Sequence, residues 1–259
     1  MSAIIAQQTG YAEVNGLEMY YEVHGEGNGR PLVLLHGGVL TIDLSFGALL
    51  PHLVAGRRVI AMELQGHGRT ADIDRPITVP QLAGDVLAVL DELGVGTADF
   101  FGFSLGGLTA LQIALDHPDR VGRAVLASVQ YRPDGYYEEI RDPAQFGVSR
   151  RLPTQADFER MADAYARTAP RPGDFQTLLT KCTAAAHDHQ GWSDDELQGV
   201  ERPVLLVVGD TDFVRLDHAA AMLDLLPDAR LAVLPATTHM DVTGRTDLLL
   251  PILRTFFEQ

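Results

Sequence analysis

The chain has 259 residues, a formal net charge of −15 at pH 7 and one cysteine, Cys182. This length suits one domain of the α/β class with a large hydrophobic core. The charge argues against nucleic acid as a partner, because phosphates would repel the protein. A single cysteine excludes an intrachain disulfide and a cysteine-rich metal site.

The first eight residues have neither a basic start nor a long apolar core, so they predict a short tail rather than a signal peptide. No stretch approaches the roughly 20 apolar residues that a membrane span needs. These two observations predict a cytoplasmic protein without a membrane partner.

Hydrophobic patterning predicts a hairpin followed by alternating strands and helices. Segments 10–15 and 18–24 alternate in polarity around the Asn15-Gly16 turn signal, as hairpin strands do. Further strands are predicted at 32–35, 58–62, 98–103, 124–128, 204–208 and 230–234. Helices are predicted at 46–54, 79–93, 105–115, 217–226 and 246–258. Such alternation predicts a mostly parallel sheet covered by helices on both faces.

The alternation stops between residues 130 and 199. This segment is rich in Pro and Arg, and its apolar residues follow helical spacing, as in Phe158, Met161 and Tyr165. We expect a helical cap (130–199) inserted into a core domain formed by residues 1–129 and 200–259. Aromatic and thioether side chains of the cap are candidates for pocket walls, although packing of the cap on the core would also use them.

Ser104 lies in the sequence G-F-S-L-G-G at residues 102–107, between a predicted strand and a predicted helix. A G-x-S-x-G motif in that context is a nucleophile elbow, in which small residues flank a serine held on a strained turn. A serine nucleophile also needs a base and a carboxylate that orients the base.

Acid and base candidates follow the last two predicted strands. The apolar run 203–208 leads into Gly209-Asp210-Thr211-Asp212, and its composition predicts a strand buried on both faces. The run 230–235 is predicted to be a second such strand and leads to His239. The chain order is therefore Ser, Asp, His, which is the order of the α/β-hydrolases.

From Tyr11 to Phe257, the chain resembles α/β-hydrolase-fold proteins. Besides the elbow, the segment P-L-V-L-L-H-G-G at 31–38 is similar to the family's strand and oxyanion loop. Residues 63–70, E-L-Q-G-H-G-R-T, match the family's Asp-x-x-Gly-x-Gly-x-Ser segment. Glu63 and Thr70 depart from the commonest residues at positions that are structural in the family.

The resemblance implies Ser104 as nucleophile, His239 as general base and then acid, and Asp212 as the orienting carboxylate. Asp212 is preferred over Asp210, because the family usually places the acid three residues after the strand-ending glycine. The alternative interpretation of Asp210 is a turn residue that accepts local N–H groups.

The implied oxyanion hole consists of two backbone N–H groups, which belong to Leu105 and Gly38. Gly38 is favoured because its backbone can approach a substrate oxygen without a Cβ, and Val39 is the second candidate. This chemistry needs no metal and no organic cofactor.

The implied substrate is a small-molecule carboxylic ester or lactone. Several segments, including 37–47 and 191–197, are similar to a bacterial subgroup that contains macrolide-ring esterases, so a macrocyclic lactone is one candidate. The residues predicted to contact substrate are Val39, Phe103, Tyr131, Tyr165, Trp192 and Met240.

Three alternatives remain from the sequence: a cofactor-free perhydrolase, a carbon–carbon hydrolase using the same triad, and a ligand sensor on a hydrolase scaffold. Dehalogenases and epoxide hydrolases of this fold carry an aspartate at the elbow, so Ser104 argues against both. The oligomeric state stays open.

Two other features favour structural roles. Cys182 is distant in sequence from the triad segments and is predicted to be a small buried hydrophobe. The triplet His187-Asp188-His189 lacks an evident third metal ligand, and we expect it on a surface helix or loop of the cap.

Overall fold

The computed structural model describes residues 6–258, so the first five residues of the predicted N-terminal tail lie outside it. In the described chain, eight strands form one sheet in the order β1-β2-β4-β3-β5-β6-β7-β8. The strands are β1 (Gln8–Val14), β2 (Leu17–His24), β3 (Leu32–Leu35), β4 (Val59–Met62), β5 (Ala98–Phe103), β6 (Val121–Ala127), β7 (Val204–Thr211) and β8 (Ala229–Thr238). The predicted α/β-hydrolase fold, with a mostly parallel sheet, is confirmed.

The antiparallel part of the sheet is confined to its first strands. Asn15 and Gly16 have φ angles of +49° and +82°, the left-handed conformation that a tight hairpin between β1 and β2 requires. β2 pairs antiparallel with β4, and every later pairing is parallel. The carboxyl ends of β3 and β5–β8 therefore meet at one edge of the sheet.

Helices cover both faces of this sheet. They are α1 (Ile42–Phe46), α2 (Leu50–Leu53), α3 (Val79–Glu92), α4 (Leu105–Asp116), α5 (Gln155–Thr168), α6 (Phe175–Asp188), α7 (Asp194–Gln198), α8 (Leu216–Leu225) and α9 (Thr246–Phe257). Alternate residues of a strand point to opposite faces. In β3, Val33 and Leu35 thus join the core cluster with α3 and α4, whereas Leu32 and Leu34 join the cluster with α1 and α9.

Two predicted elements are corrected by the structure. The single helix predicted at 46–54 is wrong: Thr41 caps α1 by accepting the Leu44 N–H, and α1 ends at Phe46, before α2 begins at Leu50. Pro51, which has no N–H, lies in the first turn of α2, where no donor is needed. β8 was predicted to be buried on both faces, but it is the edge strand, and Val233 is 44% exposed.

The segment between β6 and β7 contains α5, α6, α7 and several short 3-10 turns, in line with its helical spacing. Capping boxes formed by Thr154 with Asp157 and by Ser193 with Glu196 start α5 and α7. Lys181 anchors α6 to residues 72–75, because its ammonium group donates to Asp72 Oδ2 (2.6 Å) and to the carbonyl oxygens of Ile73 (2.7 Å) and Arg75 (2.9 Å). None of the helices described in residues 6–258 is long and apolar enough to cross a membrane.

Candidate active site

Backbone strain is concentrated at the carboxyl edge of the sheet. Positive φ angles occur there at Val39 (+64°), Ser104 (+51°), Ser128 (+58°) and Ala236 (+48°). They follow β3, β5 and β6 or lie near the end of β8. Positive φ is costly for residues with a Cβ, and such residues cluster at functional sites, so this edge is the candidate site.

The turn at Ser104 explains the glycines around it. A Cβ on Gly102 would lie 2.2 Å from the Gly106 carbonyl oxygen, and a Cβ on Gly106 would lie 2.1 Å from the Leu35 carbonyl oxygen. Any larger residue would force β5, β3 and α4 apart. The close approach places partly exposed Ser104 at the N-terminal end of α4.

Ser104, His239 and Asp212 are brought together from three different strand ends. His239 Nδ1 lies 2.7 Å from Asp212 Oδ1, and His239 Nε2 lies 3.2 Å from Ser104 Oγ. Because an ionised carboxylate only accepts, the proton of the neutral imidazole is on Nδ1. Nε2 is therefore free to accept the Ser104 hydroxyl proton.

The Asp212 carboxylate is fully buried and surrounded by donors. Its Oδ2 accepts the Ser128 hydroxyl (2.5 Å) and the Gly209 N–H (3.2 Å), and its Oδ1 also accepts the Phe213 N–H (2.6 Å). Burial raises the pKa of this carboxyl, but the charge interaction and hydrogen bond with His239 and the other donors outweigh burial and lower it. Ser128 was not singled out from the sequence; its position as the last residue of a predicted strand was the available signal.

Asp210, the other acid candidate, points elsewhere. Its carboxylate accepts the N–H groups of Ala236 (2.9 Å) and Thr237 (3.1 Å), which fixes the end of β8. It makes no hydrogen bond with His239 among the described contacts. The geometry therefore favours Asp212 as the partner of the imidazole.

Two phenylalanines hold the His239 ring. Phe213 stacks on it with a centroid distance of 3.8 Å and an interplanar angle of 5°, and Phe103 lies 5.0 Å away at 40°. This packing restricts rotation of the imidazole while its edge faces Ser104. Phe213 follows Asp212 directly, but the sequence did not reveal the stacking.

Gly38 lies beside Leu105, the residue after Ser104: a Cβ on Gly38 would be 3.9 Å from the Leu105 Cβ. Within residues 6–258, the N–H groups of Leu105 and Gly38 donate to no other protein group. The Val39 N–H, the alternative candidate, is already used: it donates to His67 Nε2 at 2.9 Å. The geometry therefore favours Gly38 and Leu105 as the pair available to an oxyanion.

The residues predicted to contact substrate are dispersed. Met240 lines a cavity of about 280 Å³ that lies between α1, α5 and the turn after β8. Tyr165 packs on Phe175, and Tyr131 stacks on His218. The buried Trp192 donates its indole N–H to Gln112 Oε1 at 3.2 Å. Roles in substrate binding for Val39, Phe103, Tyr131, Tyr165, Trp192 and Met240 stay predictions.

Cys182 is distant from the triad segments in sequence but close to the site in space. It is partly buried on α6, its Sγ lies 3.5 Å from His67 Nε2, and a Cβ on Gly38 would lie 3.9 Å from it. Burial raises the pKa of the thiol to about 12, so it stays protonated near neutral pH. The anchoring of α6 by the neighbouring Lys181 explains how Cys182 reaches this loop.

His187 and His189 have separate environments. The His187 side chain is exposed near the end of α6, whereas His189 packs against Trp192. Within residues 6–258, no three His, Cys, Asp or Glu side chains are arranged to hold a metal ion.

Two buried histidines near Gly38 are expected to make stability depend on pH. Burial lowers the pKa of His36 to about 3 and that of His67 to about 4, whereas an unfolded histidine titrates near 6.5. Above pH 6.5 both histidines are neutral in the folded and in the unfolded protein, so they do not lower the free energy of unfolding. Below it the unfolded state binds more protons, so the free energy of unfolding should fall by about 1.4 kcal/mol per pH unit per histidine.

This loss should level off for His67 as the pH passes about 4, where the folded state also becomes protonated. Urea unfolding between pH 5 and 6.5 measures the slope. His67→Gln should reduce it by one histidine's contribution, whereas His187→Asn, at an exposed position, should leave it unchanged. Equal slopes for wild type and His67→Gln would contradict the prediction.

The model of the protein family described as alpha/beta hydrolase fold matches residues 30–177, which are more than half of the chain. The chain belongs to the α/β-hydrolase family. Membership agrees with the sheet order and with the serine at the turn after β5.

Named relatives differ in activity. A non-heme haloperoxidase of Rhodococcus erythropolis is 28% identical over 94% of this chain and 97% of its own. A putative carbamate hydrolase, RutD of Variovorax paradoxus (strain S110), is 36% identical, but the match covers only 46% of either chain. Among solved structures, Est816, described as an N-acyl homoserine lactone degrading enzyme, has a TM-score of 0.72. It is 26% identical, and the match covers 95% of this chain and 99% of Est816. Hydrolase activity is thus supported, while the substrate differs among relatives.

Proposed function

We propose that this chain is a serine hydrolase that cleaves a carboxylic ester or lactone through an acyl-enzyme on Ser104. The observation that carries the proposal is the hydrogen-bonded series Ser104–His239–Asp212, with distances of 3.2 and 2.7 Å. A hydroxyl, a base and an orienting carboxylate within hydrogen-bond reach are the parts that nucleophilic acyl transfer needs.

In the first half of the reaction, Ser104 Oγ attacks the substrate carbonyl carbon while its proton passes to His239 Nε2. The resulting imidazolium is stabilised by the buried Asp212 carboxylate, which accepts from Nδ1 at 2.7 Å. The carbonyl oxygen becomes an oxyanion and accepts the N–H groups of Gly38 and Leu105. The tetrahedral intermediate then expels the alcohol, which takes the proton from Nε2.

In the second half, water attacks the acyl-Ser104 carbonyl and gives a proton to His239 Nε2. Collapse of the second tetrahedral intermediate releases the carboxylic acid, and the proton returns to Ser104 Oγ. For a lactone, the alcohol and the acid belong to one molecule, so a single ring-opened product leaves.

Lactones are a substrate class worth testing because Est816, similar over nearly its whole length, is described as a lactone-degrading enzyme. The macrolide ring suggested by sequence resemblance is the large member of this class. The strongly negative net charge suits neutral or cationic substrates better than anionic ones.

A second candidate function is perhydrolysis, favoured by the full-length similarity to a non-heme haloperoxidase. Hydrogen peroxide would then replace water in the attack on acyl-Ser104, and a peracid would leave instead of the acid. The site residues and the first half of the reaction would be the same.

The test is turnover of nitrophenyl acetate and butyrate, a homoserine lactone and a macrolide lactone, together with labelling by a fluorophosphonate. We expect hydrolysis of at least one ester or lactone, and one label on the peptide that contains Ser104. Peroxide-dependent peracid formation that exceeds hydrolysis would favour the second candidate. Absence of both labelling and turnover would contradict the proposal, and ligand binding without turnover would favour a sensor.

Two expectations from the sequence remain predictions at this point. Residues 130–199 are proposed to act as a cap over the site, with the Lys181 anchor as support. The cytoplasmic location also stays a prediction.

A further inference from the structure

Two loops at the site exchange hydrogen bonds between histidine rings and backbone amides. His36, just after β3, accepts the Leu64 N–H on Nε2 at 3.0 Å. In return, His67, in the loop after β4, accepts the Val39 N–H on Nε2 at 2.9 Å. The two ring centroids are 4.8 Å apart, and both side chains are fully buried.

The neighbours of Nδ1 fix which nitrogen accepts. His36 Nδ1 lies 2.7 Å from the Gly37 carbonyl oxygen, and His67 Nδ1 lies 2.8 Å from the Gln65 carbonyl oxygen. A carbonyl oxygen only accepts, so each Nδ1 carries the proton and each Nε2 has a free lone pair. Both rings must be neutral for the two loops to stay joined.

The contact made by His67 acts on a strained residue. Val39 has a φ of +64°, which is unfavourable for a β-branched side chain, so the surrounding contacts must hold it there. The Val39 N–H belongs to the peptide group that follows Gly38. On the other side, the Gly37 N–H donates to Ser45 Oγ at 3.4 Å. The Gly38 N–H therefore lies between two restrained peptide groups.

We propose that His67 is a positioning residue for the oxyanion hole: by accepting the Val39 N–H, it keeps the Gly38 N–H aimed at the carbonyl oxygen of the substrate. This inference rests on the proposed function. His67 does not touch the reacting atoms and acts through Val39 and Gly38. Its effect is therefore on stabilisation of the oxyanion rather than on proton transfer.

The loop that carries His67 is itself rigidly held. The Glu63 carboxylate accepts the Arg69 N–H (2.6 Å) and the Arg69 guanidinium (3.0 Å). The Thr70 hydroxyl donates to the Glu63 carbonyl oxygen (2.6 Å) and accepts the Tyr20 N–H (2.9 Å). Glu63 and Thr70, the two departures from the commonest family residues, thus brace the segment that presents His67.

Two substitutions of His67 test the acceptor atom Nε2 separately from the rest of the side chain. His67→Asn keeps a donor near the position of Nδ1 but removes the nitrogen that accepts the Val39 N–H, so that only the Cys182 sulfur, a weak acceptor, is left beside this amide. The longer His67→Gln can place Oε1 near the position of Nε2. For an ester that the wild type hydrolyses, His67→Asn should lower kcat about 30- to 100-fold, with KM changed less than threefold. This is somewhat below the 10²- to 10³-fold loss typical when an oxyanion donor is removed. His67→Gln should recover kcat to within about fivefold of wild type.

An alkyl boronic acid, which mimics the tetrahedral intermediate on Ser104, gives a second measurement. Its inhibition constant should rise in parallel with the loss of kcat in His67→Asn. If His67 were merely structural, both variants would have a lower melting temperature. The inhibition constant would then not follow the loss of kcat, and His67→Gln would not recover kcat. His187→Asn, at an exposed position on α6, is the matched histidine control and should match the wild type in every assay.

A folded His67→Asn variant with kcat within threefold of the wild type would overturn the proposal. If that variant does not fold, the proposal is tested on the wild type with the boronic acid bound. There, NMR should show a nitrogen–nitrogen coupling across the Val39 N–H···Nε2 bond of His67, and absence of the coupling would overturn the proposal. A wild type without turnover or labelling would instead refute the serine-hydrolase function, so the two failures are distinguishable.

Discussion

Replacement of Ser104 by alanine is expected to lower kcat for nitrophenyl esters by about 10⁶-fold, as loss of the nucleophile does in a serine protease. The change removes only Oγ, the atom 3.2 Å from His239 Nε2. Alanine keeps the same Cβ at a φ of +51°, so the strained turn and the fold should be preserved. Initial rates with purified protein, and the melting temperature, measure the two effects separately.

Ser128→Ala is a matched control for this experiment. Ser128 is also a strained serine at a strand end, with a φ of +58°, but its hydroxyl donates to Asp212 Oδ2 and does not reach the substrate carbonyl in the proposed mechanism. Loss of this one hydrogen bond should cost about tenfold in kcat, in keeping with roughly 1.5 kcal/mol for a hydrogen bond to a charged group. Ester turnover by Ser104→Ala above 1% of the wild-type rate would contradict the role of Ser104 as nucleophile.

The second large effect is expected from Asp212→Asn, which should lower kcat by about 10⁴-fold at neutral pH. The asparagine amide would donate to His239 Nδ1 and so move the imidazole proton to Nε2, where it faces Ser104. The histidine would then be unable to accept the hydroxyl proton. The expected signature is a loss in kcat with little change in KM.

Asp210→Asn provides the comparison, because Asp210 lies in the last residues of β7 and Asp212 directly follows this strand, but only Asp212 contacts His239. Asp210 holds the Ala236 and Thr237 N–H groups, so its replacement should lower stability and change kcat by less than about tenfold. Circular dichroism and thermal unfolding of both variants control for misfolding. A larger loss of kcat in folded Asp210→Asn than in folded Asp212→Asn would reverse the assignment.

Much of the fold follows from local patterns. The hairpin turn at Asn15-Gly16 and the parallel strands were predicted because turn chemistry and apolar runs are local properties of the chain. The helix predicted at 46–54 was wrong because the apolar pattern alone did not include a local signal, the Thr41 cap at which α1 begins. The burial predicted for β8 was wrong because the position of a strand in a sheet depends on distant segments; β8 lies at the edge, and Val233 is 44% exposed.

Some residues of the candidate site were likewise predicted from local patterns, and others were missed. Ser104 was recognised from its glycines and His239 from its place after an apolar run, whereas Asp212 was preferred over Asp210 from the spacing that the family resemblance implies. The structure then brings these three side chains within hydrogen-bond distance. Ser128, Phe213 and the proposed positioning role of His67 were missed, because each depends on a contact between segments that local sequence patterns do not pair.

The sequence by itself determined the positions of the strands, the class of fold and the three polar residues proposed for the chemistry, since these depend on periodicity, on short motifs and, for Asp212, on the spacing usual in the family. Only the tertiary structure decided which backbone N–H groups are free. The Val39 N–H is taken by His67, 28 positions away, whereas the Gly38 N–H stays available within the described chain. It also placed Cys182 beside the same loop. Hydrogen-bond pairing between distant segments is settled by packing, and packing depends on the whole chain at once.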